Sequence, residues 1–229
     1  MSESSYIFFI LNNAGGWGEI DFTFDIFNDD EPINVFCGNS DPTNRSSTDP
    51  LNEYFLVHTL KGNAYILGYL NNSEVKDPIP ICEDIFIDHA YCMHDYIFIS
   101  SEKELRVFTF DLEKVSLSLV GTINLPAPVL SMKSSSTDSF MLFIHLRNYS
   151  LKMFRRQNPN ILTDIESNIL LYDVCGESVA FIDNNLNKRL VHFNSESPEE
   201  APKEKLEEIP INIYLRYNEN SESFSCICE

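Results

Sequence analysis

Glycine, tryptophan and positive charge are all scarce in this chain. Of its 229 residues 8 are glycine and one is tryptophan, and 16 lysines and arginines face 35 aspartates and glutamates, a formal net charge of −19. So acidic a surface repels phosphate backbones and anionic lipid heads, which excludes autonomous nucleic-acid binding and argues against a membrane role. The apolar start, Tyr6 to Leu11, is too short to cross a bilayer or to serve as a signal-peptide core. Cys37, Cys82, Cys92, Cys175, Cys226 and Cys228 read as reduced thiols, because a chain of this length folds without staples. A soluble protein of the cytoplasm or nucleus is expected. Catalytic signatures are missing too: there is no Gly-x-Ser-x-Gly elbow and no glycine-rich phosphate loop ending in Lys-Ser.

Long helical periodicity is equally rare. In its place stand short runs rich in Ile, Val, Phe, Tyr and Leu, separated by polar turns, which is the pattern of strands. Four stretches look alike: YFLVHTLKGNAYILGY from Tyr54, YIFISSEKELRVFTF from Tyr96, FMLFIHLRNYSLKMF from Phe140 and VAFIDNNLNKRLVHF from Val179. Each is an apolar strand, a polar turn and a second apolar strand. Their starts lie 42, 44 and 39 residues apart, close to the ~40–45 period of a four-stranded propeller blade. Apolar stretches at Ile85–Ile87, Val129–Met132 and Ile169–Val174 supply a third strand per unit, and the segments between units a fourth. One such sheet cannot cover both of its faces, so its neighbours must stack against it in a ring. Tyr6–Leu11 and Ser223–Cys228 read as the two halves of a split unit whose pairing closes the ring and removes its open edge. The expected fold is all-β: one domain over residues 1–229, a small β-propeller of about five blades, its ring closed by the N- and C-terminal strands. Polar loop insertions are expected at 38–53 and 195–208, the second with a helical turn over Glu204 to Glu207.

A family resemblance accompanies this repeat. Asn12-Asn13-Ala14-Gly15-Gly16-Trp17-Gly18 resembles the Asn-x-x-Gly-Gln-Leu-Gly turn in repeats of the regulator of chromosome condensation family. Pro32 to Gly38 is similar to that family's proline, valine and Cys-Gly segment, Gly62 to Gly68 to its Gly-x-Val-Tyr-x-Trp-Gly, and Val174-Cys175-Gly176 to the Cys-Gly element again. The resemblance implies a propeller with a split closing blade. It also implies two roles, guanine-nucleotide exchange on a small GTPase or an accessory subunit of a tRNA-modification complex. Tryptophan-aspartate repeats are the second choice, since Pro128–Met132 followed by Phe140–Phe154 fits one of their blades by spacing.

The densest group of potential ligands is Cys82, Asp88, His89, Cys92 and His94. Cys92-x-His94 puts two side chains on one strand face, whereas a tetrahedral zinc site takes four ligands and no second pair follows. Asp88-His89 and His94-Asp95 point to opposite faces of a strand, so neither is a preformed catalytic dyad. His58, His145 and His192 lie inside apolar strands, where a hydrogen-bonded structural role is expected. The reading is non-enzymatic, with neither cofactor nor metal: an interaction or regulatory subunit that binds a protein partner through rim loops. The residues expected to make that contact are Asp41, Arg45 and Asp49 in the first insertion and Glu199 in the second. With them comes a basic cluster of Arg147, Lys152, Arg155, Arg156, Lys188 and Arg189, on neighbouring units and suited to an acidic partner.

Overall fold

The structure is a computed structural model that describes residues 5–11, 17–23, 30, 32–39, 53–70, 73–74, 78–93, 95–111, 113–134, 141–193, 198–200, 203–208, 210–218 and 223–228. Among them every regular element is a strand. At the N-terminus β1 (Ser5–Leu11) pairs with β2 (Trp17–Thr23). The first full sheet joins β3 (Pro32–Asn39), β4 (Glu53–Thr59) and β5 (Ala64–Leu70), with its outer position shared by β6 (Ser73–Glu74) and β7 (Ile79–Ile81). The second runs β8 (His89–Met93), β9 (Tyr96–Ser101), β10 (Glu104–Asp111) and β11 (Ser116–Asn124). The third runs β12 (Val129–Ser134), β13 (Met141–Leu146), β14 (Leu151–Arg155) and β15 (Leu162–Glu166). In the fourth, β16 (Ile169–Cys175), β17 (Ser178–Asp183) and β18 (Asn187–Phe193) are followed by β19 (Pro198–Glu200) and β20 (Glu204–Lys205), both on β18. A last hairpin pairs β21 (Ile213–Asn218) with β22 (Ser223–Cys228). Every pairing is antiparallel, so each four-stranded sheet is a meander, and the whole is the β-propeller expected from the repeat.

The second strand of each full sheet explains why these runs are continuously apolar. Successive side chains on a strand point to opposite faces, and on β9, β13 and β17 each face meets a different neighbouring sheet. Ile97 and Ile99 of β9 pack with Tyr54, Leu56 and Ile66 of the first sheet, whereas Tyr96 and Phe98 pack with Leu142, Ile144 and Phe154 of the third. On β13, Leu142 and Ile144 turn back to the second sheet while Met141 and Phe143 meet Val179 and Phe181 of the fourth. Ala180 and Ile182 then face Ile213 and Leu215 of β21. A solvated face on any of these strands would show polar residues at every second position; covering both faces removes them. The Phe98 and Phe154 rings meet edge to face at 4.8 Å, a contact worth about 0.5–1.5 kcal/mol beyond the area it buries.

Polar bonds tie the inner strands in the same order. The Tyr91 hydroxyl of β8 accepts the Ser134 N–H at 3.0 Å and lies 2.9 Å from the Ser134 Oγ of β12. Ser131 Oγ donates to the Tyr172 hydroxyl of β16 at 3.2 Å, and Lys133 Nζ to Asp173 Oδ1 at 3.0 Å. Asp173 Oδ2 in turn accepts the N–H of Leu215 on β21 at 2.9 Å.

Two expectations are corrected. Ile85–Ile87 is not a strand: the Ile87 N–H donates to the Gly62 carbonyl, its own carbonyl accepts from His58, and pairing with β9 begins only at His89, opposite Ser100. Glu204–Glu207 does not open a helical turn, because Glu204 and Lys205 pair with Lys188 and Asn187 as an outer strand. That edge is held by a Lys188–Glu204 ion pair at 2.5 Å and by the Leu206 N–H donating to the Leu186 carbonyl at 2.9 Å. The ladder expected between the first and last strands is not among the pairings of the described residues; β1 and β22 each pair within their own hairpin.

Candidate interaction surface

The meander puts two kinds of connection on the same rim: the turns between the second and third strands of each sheet, and the links that lead from one sheet to the next. The backbone joins them in a repeating bond. Ile87 N–H donates to the Gly62 carbonyl (2.9 Å), Leu125 N–H to Lys103 (2.7 Å), Ile169 N–H to Tyr149 (2.8 Å) and Leu206 N–H to Leu186 (2.9 Å). Each of these turns contains a left-handed residue: Gly62 (φ 77°), Glu102 (φ 50°), Tyr149 (φ 64°) and Leu186 (φ 62°). Glycine reaches that region without strain, other residues at a cost of about 1–2 kcal/mol. Three non-glycine residues are held there by the bond pattern around them.

Two buried histidines reinforce this rim. His58 Nε2 lies 2.9 Å from the Ile87 carbonyl, and His145 Nε2 lies 2.9 Å from the Ile169 carbonyl, so each spans the junction out of its own sheet. Burial lowers the pKa of both, against the hydrogen bond to the carbonyl, which favours the proton; Asp30 and Asp88 oppose the shift further at His58. His58 Nδ1 is buried without a hydrogen-bond partner, so a proton added there has nothing to accept it. Asp30 completes the first turn: its carboxylate accepts from the Lys61 N–H at 2.9 Å and from Asn63 Nδ2 at 2.8 Å. Burial alone would raise the pKa of Asp30, but the bonds from Asn63, Thr59 and the Lys61 N–H bring it below the usual carboxylate range.

On this link rim large apolar side chains stand in solvent: Leu60 (64% exposed), Phe86 (60%), Tyr149 (51%) and Ile211 (83%). Between the link into the second sheet and that sheet's own β9–β10 turn it holds a cleft of about 640 Å³, lined by Ile85, Phe86, Asp88, Glu102, Glu104 and Arg106 among others. Arg106 donates from Nε to Glu104 at 2.6 Å, and its Nη1 lies 3.4 Å from Asp84 and 3.5 Å from the Cys82 sulfur.

The residues expected from sequence to touch a partner are scattered. Asp41, Arg45 and Asp49 lie outside the described residues, as do Asn12–Gly16 and His94. Glu199 sits on β19 with its backbone opposite His192. Arg147 is exposed on the link rim, whereas Arg155 ends β14 and Arg156 follows it on the opposite rim. Most of the basic cluster has an acidic partner: Lys152 with Asp164, Arg156 with Asp95 at 3.6 Å, Lys188 with Glu204 and Arg189 with Glu166. Arg155 lies over the Phe193 ring at 6.0 Å. Cys92 is in the core between the first two sheets, and among the described residues no three His, Cys, Asp or Glu side chains converge as a metal cage. Sequence reasoning missed Leu60, Phe86, Tyr149 and Ile211. One usable signal was Asp84-Ile85-Phe86-Ile87-Asp88, an apolar triplet bracketed by carboxylates, which suits a surface link better than a buried strand.

The sequence matches no protein-family model and no curated protein. Solved structures share the fold. The chain is similar to BBS1N in a crystal structure with ARL6DN (TM-score 0.54, 11% identity, 83% of this chain and 58% of that one). It is also similar to human WBSCR16 (TM-score 0.53, 11% identity, 81% and 56%) and to the N-terminal domain of Nup159 (TM-score 0.50, 15% identity, 71% and 45%). This chain spans about half the length of those it matches. At such identities the likeness establishes the propeller and nothing finer.

Proposed function

We propose that the chain is a non-catalytic interaction subunit of an intracellular protein complex and that it meets its partner through the link rim. The observation that carries this reading is the set Leu60, Phe86, Tyr149 and Ile211, four large apolar side chains in solvent on one rim. Exposed apolar residues on a backbone-fixed surface are what partner surfaces offer. The similar BBS1N structure is a complex with ARL6DN, which supports a propeller of this kind serving as a binding platform. Affinity purification of the full chain tests the reading. A stoichiometric partner should accompany the wild type and be lost from a Leu60→Asp, Tyr149→Asp, Ile211→Asp variant; a partner retained by that variant would refute it.

A second reading follows from the resemblance to the regulator of chromosome condensation family. Gly62 and Gly176, two of its glycines in this chain, both take the left-handed turn that such repeats require of them (φ 77° and 56°). On this reading the partner is a small GTPase, and the purified chain accelerates release of its bound nucleotide. No acceleration across a panel of GTPases would remove it and leave a platform role such as accessory subunit of a tRNA-modification complex.

A further inference from the structure

We propose that the cleft between the Ile85–Asp88 link and the β9–β10 turn receives an arginine or lysine side chain of the partner protein. The proposal rests on the link rim being the partner face and adds the chemistry of what it holds. One wall is apolar and fixed. Phe86 is 60% exposed, yet its ring lies against Gly62, where an added Cβ would come within 2.5 Å of Cδ2 and Cε2. With Ile85 beside it, this wall offers a shelf for an aliphatic stem and a ring face for a cation.

The rest of the lip is carboxylate. Asp88 accepts the Glu102 N–H through Oδ2 at 2.6 Å, which fixes the side chain at the cleft wall. Glu102 and Glu104 line the cleft with it, Asp84 stands against Arg106, and the cations among the described lining residues are Lys103 and Arg106. Arg106 is already engaged by Glu104 and Asp84, and its position shows that these carboxylates accommodate a guanidinium. Acidic groups outnumber basic ones here and over the whole chain, so an anion is repelled. An uncharged apolar segment would cover the carboxylates without pairing them, at a desolvation cost. A cationic side chain satisfies both walls.

A blocked pentapeptide, Gly-Leu-Arg-Leu-Gly, is the probe, titrated into the full-length isotope-labelled protein and read by amide chemical shifts. A twin peptide with citrulline in place of arginine keeps the shape and removes the charge. The expected result is saturable shifts at residues 85–88 and 102–104, weakened about tenfold by citrulline and by Asp88→Asn. Phe86→Ser should weaken binding as well. Both substitutions are at solvent-accessible positions, and unchanged dispersion of the remaining amide signals verifies that each variant is folded. Equal binding of the citrulline peptide, or shifts spread over other acidic stretches and indifferent to both substitutions, would overturn the proposal. Partner retention by the Leu60, Tyr149 and Ile211 variant is read separately. If that variant loses the partner while the peptide ignores the cleft, the cleft assignment fails alone; if it keeps the partner, the rim itself fails.

Discussion

The two rims of the propeller are held together differently. On the link rim, four backbone bonds of 2.7–2.9 Å and two buried histidines tie each turn to the link beside it. On the opposite rim the described contacts between sheets are side-chain contacts: Arg156 reaches Asp95 at 3.6 Å and lies over the Tyr96 ring at 5.9 Å, and Arg155 lies over Phe193. Backbone bonds survive most side-chain changes, whereas half-exposed ion pairs contribute little and are screened by salt. A rim fixed by its backbone can present exposed apolar groups without collapsing onto them, which is the property a recognition surface needs.

The largest way to break this contrast is to remove a histidine. His145→Ala leaves the Ile169 carbonyl without its side-chain donor and opens a cavity, for an expected loss of about 2–4 kcal/mol in denaturant unfolding. Arg156→Glu on the opposite rim should cost less than about 1 kcal/mol. Equal losses would erase the distinction between the rims.

Acid should sharpen it. The folded state holds His58 and His145 below their ordinary pKa, so the unfolded chain binds their protons first as pH falls. Their contribution is complete above about pH 6.5 and declines below it, by at most about 1.4 kcal/mol per pH unit for each histidine. Asp30, also lowered in the folded state, adds a further loss in the carboxylate range. Urea melts between neutral pH and about pH 5 should show this slope, and His58→Gln with His145→Gln should flatten it. A slope unchanged in the double variant would show that the histidines are not its source.

Glycine exchange gives smaller effects than loss of a histidine, with opposite signs. Gly62→Ala, at φ 77° and against the Phe86 ring, should lower stability by about 1–2 kcal/mol. Val115, a β-branched residue at φ 51° on the opposite rim, should gain up to about 1 kcal/mol as Val115→Gly. Thermal melts of the two variants are sufficient to compare the signs.

The repeat was legible because burial on both faces writes an unbroken apolar run, as at Tyr54–Val57, Ile97–Ile99 and Met141–Ile144. That property also misled: Ile85–Ile87 has a strand's composition, but the Ile87 N–H and carbonyl are taken by Gly62 and His58, and the Ile85 N–H by Cys82. Missing glycines were no guide to missing turns, since Glu102 and Tyr149 adopt the left-handed conformation where the resemblance would place glycine. The basic cluster looked continuous in sequence because spacing counts charges and not partners; Lys152, Lys188 and Arg189 meet acidic side chains from elsewhere in the chain. The link rim was unreadable for a related reason. Leu60, Phe86, Tyr149 and Ile211 are far apart in sequence, and only the meander sets them on one side.

Hydrogen exchange of the chain, free and in complex with its co-purified partner, tests the central claim most directly. The account predicts slowed exchange on the link rim, at residues 60–63, 85–88, 147–150 and 206–212. Protection confined to 113–115 and 156–161 on the opposite rim would contradict it.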